Sequence, residues 1–160
     1  MVLKDILAIS GSNGLFRFIS KSRNGIIVEG LLDKKRFHSP SSARISNLDD
    51  IAIYTSDKDL PLKEILQNIF KKENGGQTID PKSDNEKLKK YFAEIVPDFD
   101  KDRVYVSDIK KIYNWYNILN SLQLIDLVID EENTVNNDIP DQENTANKDN
   151  PDEKIEKAEE

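Results

Sequence analysis

The chain of 160 residues contains no cysteine and a single histidine, His38. Without cysteine, neither a disulfide nor a cysteine-ligated zinc ion can hold a small core together, so side-chain packing must stabilise it. With one histidine, most zinc-hydrolase and histidine-relay chemistries lose their usual ligands or bases. His38 stands next to Phe37 and before Ser39-Pro40, and we interpret it as a strand-end or loop residue rather than a base.

Sequence motifs of phosphate binding and of nucleophilic catalysis are also missing. Neither G-x-x-x-x-G-K-[ST] nor G-x-G-x-x-G occurs. Residues 11–14, Gly-Ser-Asn-Gly, match the loop with which KH domains clamp RNA, but in those domains the glycines join two helices. Here they separate predicted strands and favour a hairpin turn. We therefore expect no catalytic residue, no cofactor and no enzymatic activity.

Residues 98–102 carry the sequence pattern most typical of a metal site. Acidic residues at the first, third and fifth positions of a loop between helices begin like a calcium-binding EF-hand. The sixth position, which needs glycine for the sharp turn, is Arg103, and the twelfth, which supplies a bidentate glutamate, is Ile109. We interpret the segment as a solvated acidic turn and predict no metal site.

Long apolar runs are absent from the sequence. No stretch reaches the roughly 18 apolar residues that a membrane helix needs. The apolar start of the chain is interrupted by Lys4 and Asp5 and lacks the small-residue cleavage site of a signal peptide. These features predict a cytoplasmic protein that does not enter a membrane.

Negative charge is concentrated at the C-terminal end. Residues 126–160 hold 13 acidic and 3 basic side chains, whereas residues 1–125 hold 17 acidic and 20 basic ones. Within this end, residues 132–142 and 143–153 form a tandem repeat rich in Asn, Asp and Glu, and its prolines exclude a continuous helix. Such a segment buries too little apolar surface to offset the cost of ordering its backbone. We predict a disordered acidic tail over 126–160.

Residues 1–56 predict a small β domain. Short apolar or alternating segments are separated by turn signals, of which Asn24-Gly25 is the strongest. Five strands are predicted, at 6–10, 15–19, 26–32, 36–38 and 50–55. Their spacing of roughly ten residues, with no helices between them, favours an antiparallel sheet rolled into a small SH3-like barrel. A curled sheet packed on the helices is the alternative.

Residues 57–125 predict a helical domain of about three helices, which makes the fold class α+β. The first helix starts with Pro61 as its first helical residue and stops at Gly75-Gly76. A capping box at 83–86 begins the second helix, and Ser107 is the predicted N-cap of the third. The helical spacing predicts a core of Leu62, Ile65, Leu66, Ile69, Phe70, Leu88, Tyr91, Phe92, Ile95, Val96, Ile109, Ile112, Tyr113, Tyr116 and Leu119.

Basic and aromatic side chains mix in the β domain. Residues 1–54 hold 8 basic and 5 acidic side chains, and small β-barrels commonly bind nucleic acid by combining aromatic platforms with cations. A solvated face is the ordinary alternative, and the acidic tail would compete for any cationic patch. The candidate surface for nucleic acid or a partner protein comprises Arg17, Lys21, Arg23, Lys34, Lys35, Arg36 and Arg44.

Several segments carry a resemblance to a known family. They are Ile-Leu-Ala-Ile-Ser-Gly at 6–11, Gly-Leu-Phe at 14–16, Asp-Ile-Ala-Ile-Tyr-Thr at 50–55, Pro-Leu-Lys-Glu-Ile-Leu at 61–66, Lys-Glu-Asn-Gly-Gly at 72–76, Arg-Val-Tyr-Val-Ser-Asp-Ile-Lys-Lys at 103–111 and Trp-Tyr-Asn at 115–117. With these segments, roughly residues 1–120 resemble an uncharacterised Bacteroidetes-type family classed as a domain of unknown function. The resemblance implies a β-rich N-terminal part joined to a helical part, and it transfers no catalytic or binding residue.

The sequence therefore predicts a non-enzymatic cytoplasmic interaction or adaptor module that binds a partner protein. The acidic tail would tune its solubility or cover a basic surface. The alternative, from a different class, is an RNA- or DNA-associated protein that uses the basic β domain.

Overall fold

Five strands in the first third of the chain form one antiparallel sheet in the computed structural model, which describes residues 1–129. The strand order is β4-β3-β2-β1-β5, so β4 and β5 are its two edges. The edges do not pair with each other in the described chain, and the sheet is open rather than a closed barrel. The strands are β1 (Ile6–Ile9), β2 (Phe16–Ser22), β3 (Gly25–Gly30), β4 (Arg36–Pro40) and β5 (Ile45–Asn47).

The last strand of this sheet is not the predicted one. The sequence predicts that 50–55 completes the sheet, and this pairing is wrong. Instead, β6 (Ala52–Tyr54) pairs with β7 (Asp59–Pro61) in a separate two-stranded sheet. A 3₁₀ turn at Leu48–Asp50 follows β5 directly, and the chain that leaves it enters the second sheet. Only three residues long and mostly polar, β5 gives no apolar alternation from which it could be read.

Strand β1 is buried at all four of its positions. On one face of the sheet, its Leu7 and Ile9 join Phe16 and Val28 in a buried apolar cluster. Side chains alternate between the two faces of a strand, so Ile6 and Ala8 lie on the other face. On this second face, β1 contacts the turn at Leu48–Asp50, and this turn also contacts the first helix. One short strand thus connects the sheet to the helical part.

After the sheets, the described part of the chain continues with the α-helices α1 (Leu62–Lys72), α2 (Asn85–Ile95) and α3 (Val106–Ser121). The confirmed fold class is therefore α+β, with three helices after the sheet. The predicted caps differ in detail, because the N-cap residues are Pro61, Asp84 and Tyr105, and none makes a side-chain cap hydrogen bond of its own. At α3, the Asp108 carboxylate accepts the Tyr105 backbone N–H at 3.0 Å, so an acidic residue inside the first turn satisfies this end.

Tyrosines from α2 and α3 fix the loop between α1 and α2. The Tyr91 hydroxyl donates to the Glu73 carboxylate. It also accepts from the Thr78 hydroxyl, with 2.7 Å between the Tyr91 and Thr78 oxygens. The Tyr116 hydroxyl donates to the Gly76 carbonyl at 2.8 Å. Burial raises the pKa of Tyr116 to about 12 and also raises the pKa of Tyr91. Both hydroxyls therefore stay protonated and keep their donor role at physiological pH.

The folded unit extends from Met1 to Val128. Val128 is fully buried, and its carbonyl accepts a hydrogen bond from the Gln67 amide of α1 at 2.7 Å. The predicted start of the disordered tail at 126 is therefore wrong, because 126–128 belong to the folded unit. The rest of the predicted acidic tail, residues 130–160, lies outside the described residues, and the predicted domain boundary at 56 stays a prediction. Within residues 1–129, no helix has the length and apolar content needed to span a bilayer.

Gly25 tests the pairing of β3 with the edge strand β4. A Cβ atom at this position would lie 2.0 Å from the Ser39 carbonyl oxygen and 2.9 Å from the Pro40 Cα. Because both are backbone atoms of a paired strand, Gly25→Ala should lower the free energy of unfolding by about 2 kcal/mol or more. Gly14→Ala is the matched control, since its Cβ would meet only the Phe16 ring, at 3.7 Å. Equal urea midpoints for the two variants would contradict the register.

Candidate interaction surface

Two of the seven predicted surface cations hold a buried carboxylate. Arg17 on β2 and Arg36 on β4 stand opposite Glu29 on β3, so the three side chains form one row across the sheet. The Arg17 Nε lies 2.9 Å from Glu29 Oε1, and the Arg36 Nε lies 2.9 Å from Oε2. Glu29 is only 6% exposed. The hydrogen bond from Arg36, followed by that from Arg17, lowers the pKa of Glu29, so this row carries a net charge of +1 rather than +2.

The other five cations are exposed but do not form one patch. Lys21 lies near the end of β2 and Arg23 in the β2–β3 turn, whereas Lys34 and Lys35 lie in the β3–β4 turn, at the opposite end of β3. Arg44 precedes β5. In the part of the chain that the structure describes, none of the five makes an ion pair. The predicted surface is therefore divided between two ends of the sheet and the central row.

Apolar side chains give the sheet a more continuous surface than the cations do. Phe18 on β2 and Phe37 on β4 both stand opposite Val28 on β3, which is fully buried. Phe18 is 48% exposed and Phe37 is 40% exposed, although the Phe37 ring meets Phe16 edge-to-face at 5.3 Å. We call this surface the aromatic face: it comprises Phe18, Phe37 and the partly buried Ile26 and Ile45 on the same side of the sheet.

A groove of about 540 Å³ opens along the aromatic face. Its apolar part is lined by Met1, Leu7, Phe18, Ile26 and Ile45. Its polar rim consists of Lys4, Asp5, Arg17 and Asn47. Such a groove has the size and mixed character of a site for one or two apolar side chains with polar groups beside them.

The β4–β5 connection limits the aromatic face on one side. The Ser41 backbone N–H donates to the Asn24 carbonyl in the β2–β3 turn at 2.8 Å, and the Ser10 N–H donates to the Arg44 carbonyl at 2.9 Å. Between these two bonds, Ala43 packs against the apolar cluster of the sheet. The connection is therefore attached both to the β2–β3 turn and to the end of β1.

The structure places the residues that the sequence suggested as a base or as metal ligands as follows. His38 lies exposed on the edge strand β4. In residues 1–129, no group of three or more His, Asp or Glu side chains is arranged to hold a metal ion. In the loop at 98–102, Asp100 bonds Arg103 at 2.8 Å and accepts the Asp102 backbone N–H at 2.9 Å, so this carboxylate closes a turn.

Sequence reasoning identified the cations but not the partners that decide their role. Glu29 stands in an apolar strand, and its pairing with Arg17 and Arg36 depends on the register of three strands. The exposure of Phe18 and Phe37 depends on the same register. The one available signal was Glu29 itself, the fifth residue after Asn24, because an unpaired carboxylate in a predicted buried strand would be costly.

The ion pairs of Glu29 predict a pH dependence of the free energy of unfolding. Because the two arginines lower the folded-state pKa of Glu29 below its ordinary value of 4.5, its ionised form stabilises the fold at neutral pH. This contribution is lost as the pH falls through the folded-state pKa. The stability difference between the wild type and Glu29→Gln should thus be largest near neutral pH and shrink below pH 4.5, as measured by urea unfolding.

Glu86→Gln is the control for this measurement, because Glu86 is exposed and makes no ion pair in the described chain. A wild-type minus Glu29→Gln difference that does not change with pH would show that the arginines do not act on an ionised Glu29.

Two family models divide the chain between them. Residues 3–48 match a domain of unknown function (DUF5606), and residues 51–119 match a second domain of unknown function (DUF6852). The two matched segments meet at the turn formed by Leu48–Asp50. A comparison with curated proteins gave no match.

A solved structure is similar over most of both chains. The solution NMR structure of a protein from Bacteroides vulgatus, a Northeast Structural Genomics Consortium target, is 41% identical to this chain. The match has a TM-score of 0.64 and covers 77% of this chain and 89% of the other. These comparisons confirm the resemblance that the sequence segments carry. The chain belongs to this Bacteroidetes-type family of domains of unknown function.

Proposed function

We propose that the protein is a non-enzymatic interaction module that binds a partner protein through the aromatic face. The observation that carries the proposal is the pair Phe18 and Phe37, which stand on either side of Val28 and remain 48% and 40% exposed. Large aromatic side chains dominate the binding energy of protein interfaces when a partner covers them. Covering the exposed parts of both rings would stabilise a complex by about 2 kcal/mol.

Although its two edge strands do not pair, the sheet would act in this role as a partly open, SH3-like barrel. Support comes from the β4–β5 connection, whose hydrogen bonds to Asn24 and Ser10 attach the open side of the sheet to its own β2–β3 turn and to β1. A framework held in this way presents the aromatic face without ordering on binding, which lowers the entropic cost of the complex.

The partner would contribute an extended segment with an apolar side chain flanked by acidic residues. The groove accepts the apolar side chain between Phe18 and Ile45. Lys4 and Arg17 line the rim of the groove, and Asp5 is the one acidic residue in its lining. A further cation, Lys21, stands opposite Ile26 in the β2–β3 pair. Arg17 already holds Glu29, so Lys4 and Lys21 are the cations most open to a partner.

Single-stranded nucleic acid is the second candidate ligand for the same surface. The observation in its favour is that Lys21 lies on the same side of the sheet as Phe18 and Phe37, because exposed aromatics beside cations form platforms on which bases stack. Against it, Arg17 and Arg36 both bond Glu29, and this carboxylate offsets part of the positive charge that they would offer to phosphates.

Phe18→Ser tests the proposed function. Affinity purification of the tagged full chain from its native cells, after nuclease treatment of the lysate, should give a partner protein that Phe18→Ser loses. With that partner purified, the variant should bind about tenfold more weakly or worse. Phe18 is the better choice because the Phe37 ring also packs on Phe16, so its loss would weaken the fold.

Tyr105→Ser is the control, since Tyr105 is 64% exposed and lies at the start of α3, away from the sheet. Equal loss of binding in both variants, or unchanged binding in Phe18→Ser, would exclude the aromatic face. If the captured material disappears with nuclease, and labelled single-stranded RNA binds with a steep salt dependence, the nucleic-acid candidate replaces the first one. Fractionation of the same cells tests the predicted cytoplasmic location.

A further inference from the structure

A second cleft lies on the helical part, between α2 and the loop that leads to α3. Its volume is about 530 Å³. We call it the lysine cleft, because four of its eight lining residues are lysines; the lining is Glu86, Lys87, Lys89, Lys90, Ala93, Phe99, Lys101 and Val104. None of these residues belongs to the aromatic face or to the seven predicted surface cations.

Two acidic residues near the lysine cleft form ion pairs with cations outside its lining. Glu94, one turn beyond Lys90, forms an ion pair with Lys72 at 2.6 Å. In the loop, Asp100 holds Arg103 at 2.8 Å. Only Glu86 brings a carboxylate into the lining, and none of the four lining lysines forms an ion pair in the described chain. The cleft therefore carries a net charge of about +3 at neutral pH.

The floor of the cleft is apolar. Ala93 comes from the exposed side of α2, while Phe99 and Val104 come from the loop and are mostly buried. Phe99 is fixed in place, because its ring meets Phe92 edge-to-face at 5.0 Å and its backbone pairs with Thr55. A rigid apolar floor with a cationic rim is complementary to a ligand that has an apolar group between negative charges.

We propose that the lysine cleft binds an acidic peptide segment of a partner protein that carries an apolar side chain between its carboxylates. Lys87 and Lys90 lie one turn apart, about 4.5 Å along the helix axis, and Lys89 and Lys101 extend the rim further. This spread of charge matches several carboxylates along a peptide better than one compact anion. The cleft volume admits one or two apolar side chains over Ala93 and Phe99.

Nucleic acid fits the cleft less well. Binding of single strands without sequence preference relies on bases that stack on exposed aromatic rings. The aromatic residue of the cleft, Phe99, is buried against Phe92 and offers no such platform. Charge favours either polyanion, and the apolar floor favours the peptide.

The test uses the full chain and an oligo-glutamate peptide with a central leucine as the probe. NMR titration of the ¹⁵N-labelled protein should shift the amide signals of 86–104, with an affinity that falls as the salt concentration rises. The variant Lys89→Glu/Lys90→Glu should bind about tenfold more weakly or worse, because two attractions become two repulsions. The variant Lys110→Glu/Lys111→Glu, an adjacent exposed pair on α3 with the same change in charge, should bind within about twofold of the wild type.

Three results would overturn the proposal. Equal losses in the two double variants would show that only the net charge of the protein matters. Unchanged affinity for an all-glutamate peptide would show that the apolar floor is not used. A single-stranded DNA of equal charge that binds more tightly and shifts the same signals would assign the cleft to nucleic acid. Thermal unfolding of both double variants shows whether their fold is intact. The Phe18→Ser experiment tests the aromatic face separately, so a failure of one proposal can be distinguished from a failure of the other.

Discussion

The burial of β1 on both faces is the constraint on which the rest of the structure depends. This strand has only four residues, all apolar. Leu7 and Ile9 complete the apolar cluster under the aromatic face. Ile6 and Ala8 point to the other face and belong to the core that the helices cover. A chain without cysteine must stabilise both parts by packing, and sharing one strand between two cores makes each part support the other. The aromatic face and the helical part are thereby joined in one folded unit.

Local patterns predicted the elements of the helical part well, because helix periodicity is a property of neighbouring residues. Leu62, Ile65 and Ile69 are fully buried, as their spacing indicates. The sheet was harder. Its existence and four of its strands follow from alternation and from Asn24-Gly25, but β5 pairs with β1 across more than thirty residues of sequence, and no local signal in Ile45–Asn47 specifies that pairing.

The candidate surface shows the same limit. Counting cations identified Arg17 and Arg36 as open to a ligand, yet the structure places Glu29 between them. The aromatic residues, which the sequence offered as companions of the cations, form the more continuous surface. Both outcomes follow from strand register, since a shift of β3 by one residue would move Val28 away from Phe18 and Phe37 and remove Glu29 from the arginines. Register is a long-range property, so composition could suggest the kind of surface but not its members.

Arginines and lysines have different roles in this protein, and the difference links the fold to the two proposed surfaces. Of the five arginines in the chain, Arg17, Arg36 and Arg103 bond carboxylates of the fold, with Arg103 also stacked on the Tyr54 ring at 4.1 Å. The planar guanidinium suits such fixed, directional contacts. Lysines line the rim of the lysine cleft and stand beside the aromatic face, where a mobile, hydrated charge adapts to different carboxylates at little cost. Glu29 and Asp100 are bonded to arginines and are therefore less available to pair with these lysines, which leaves positive charge on the two rims.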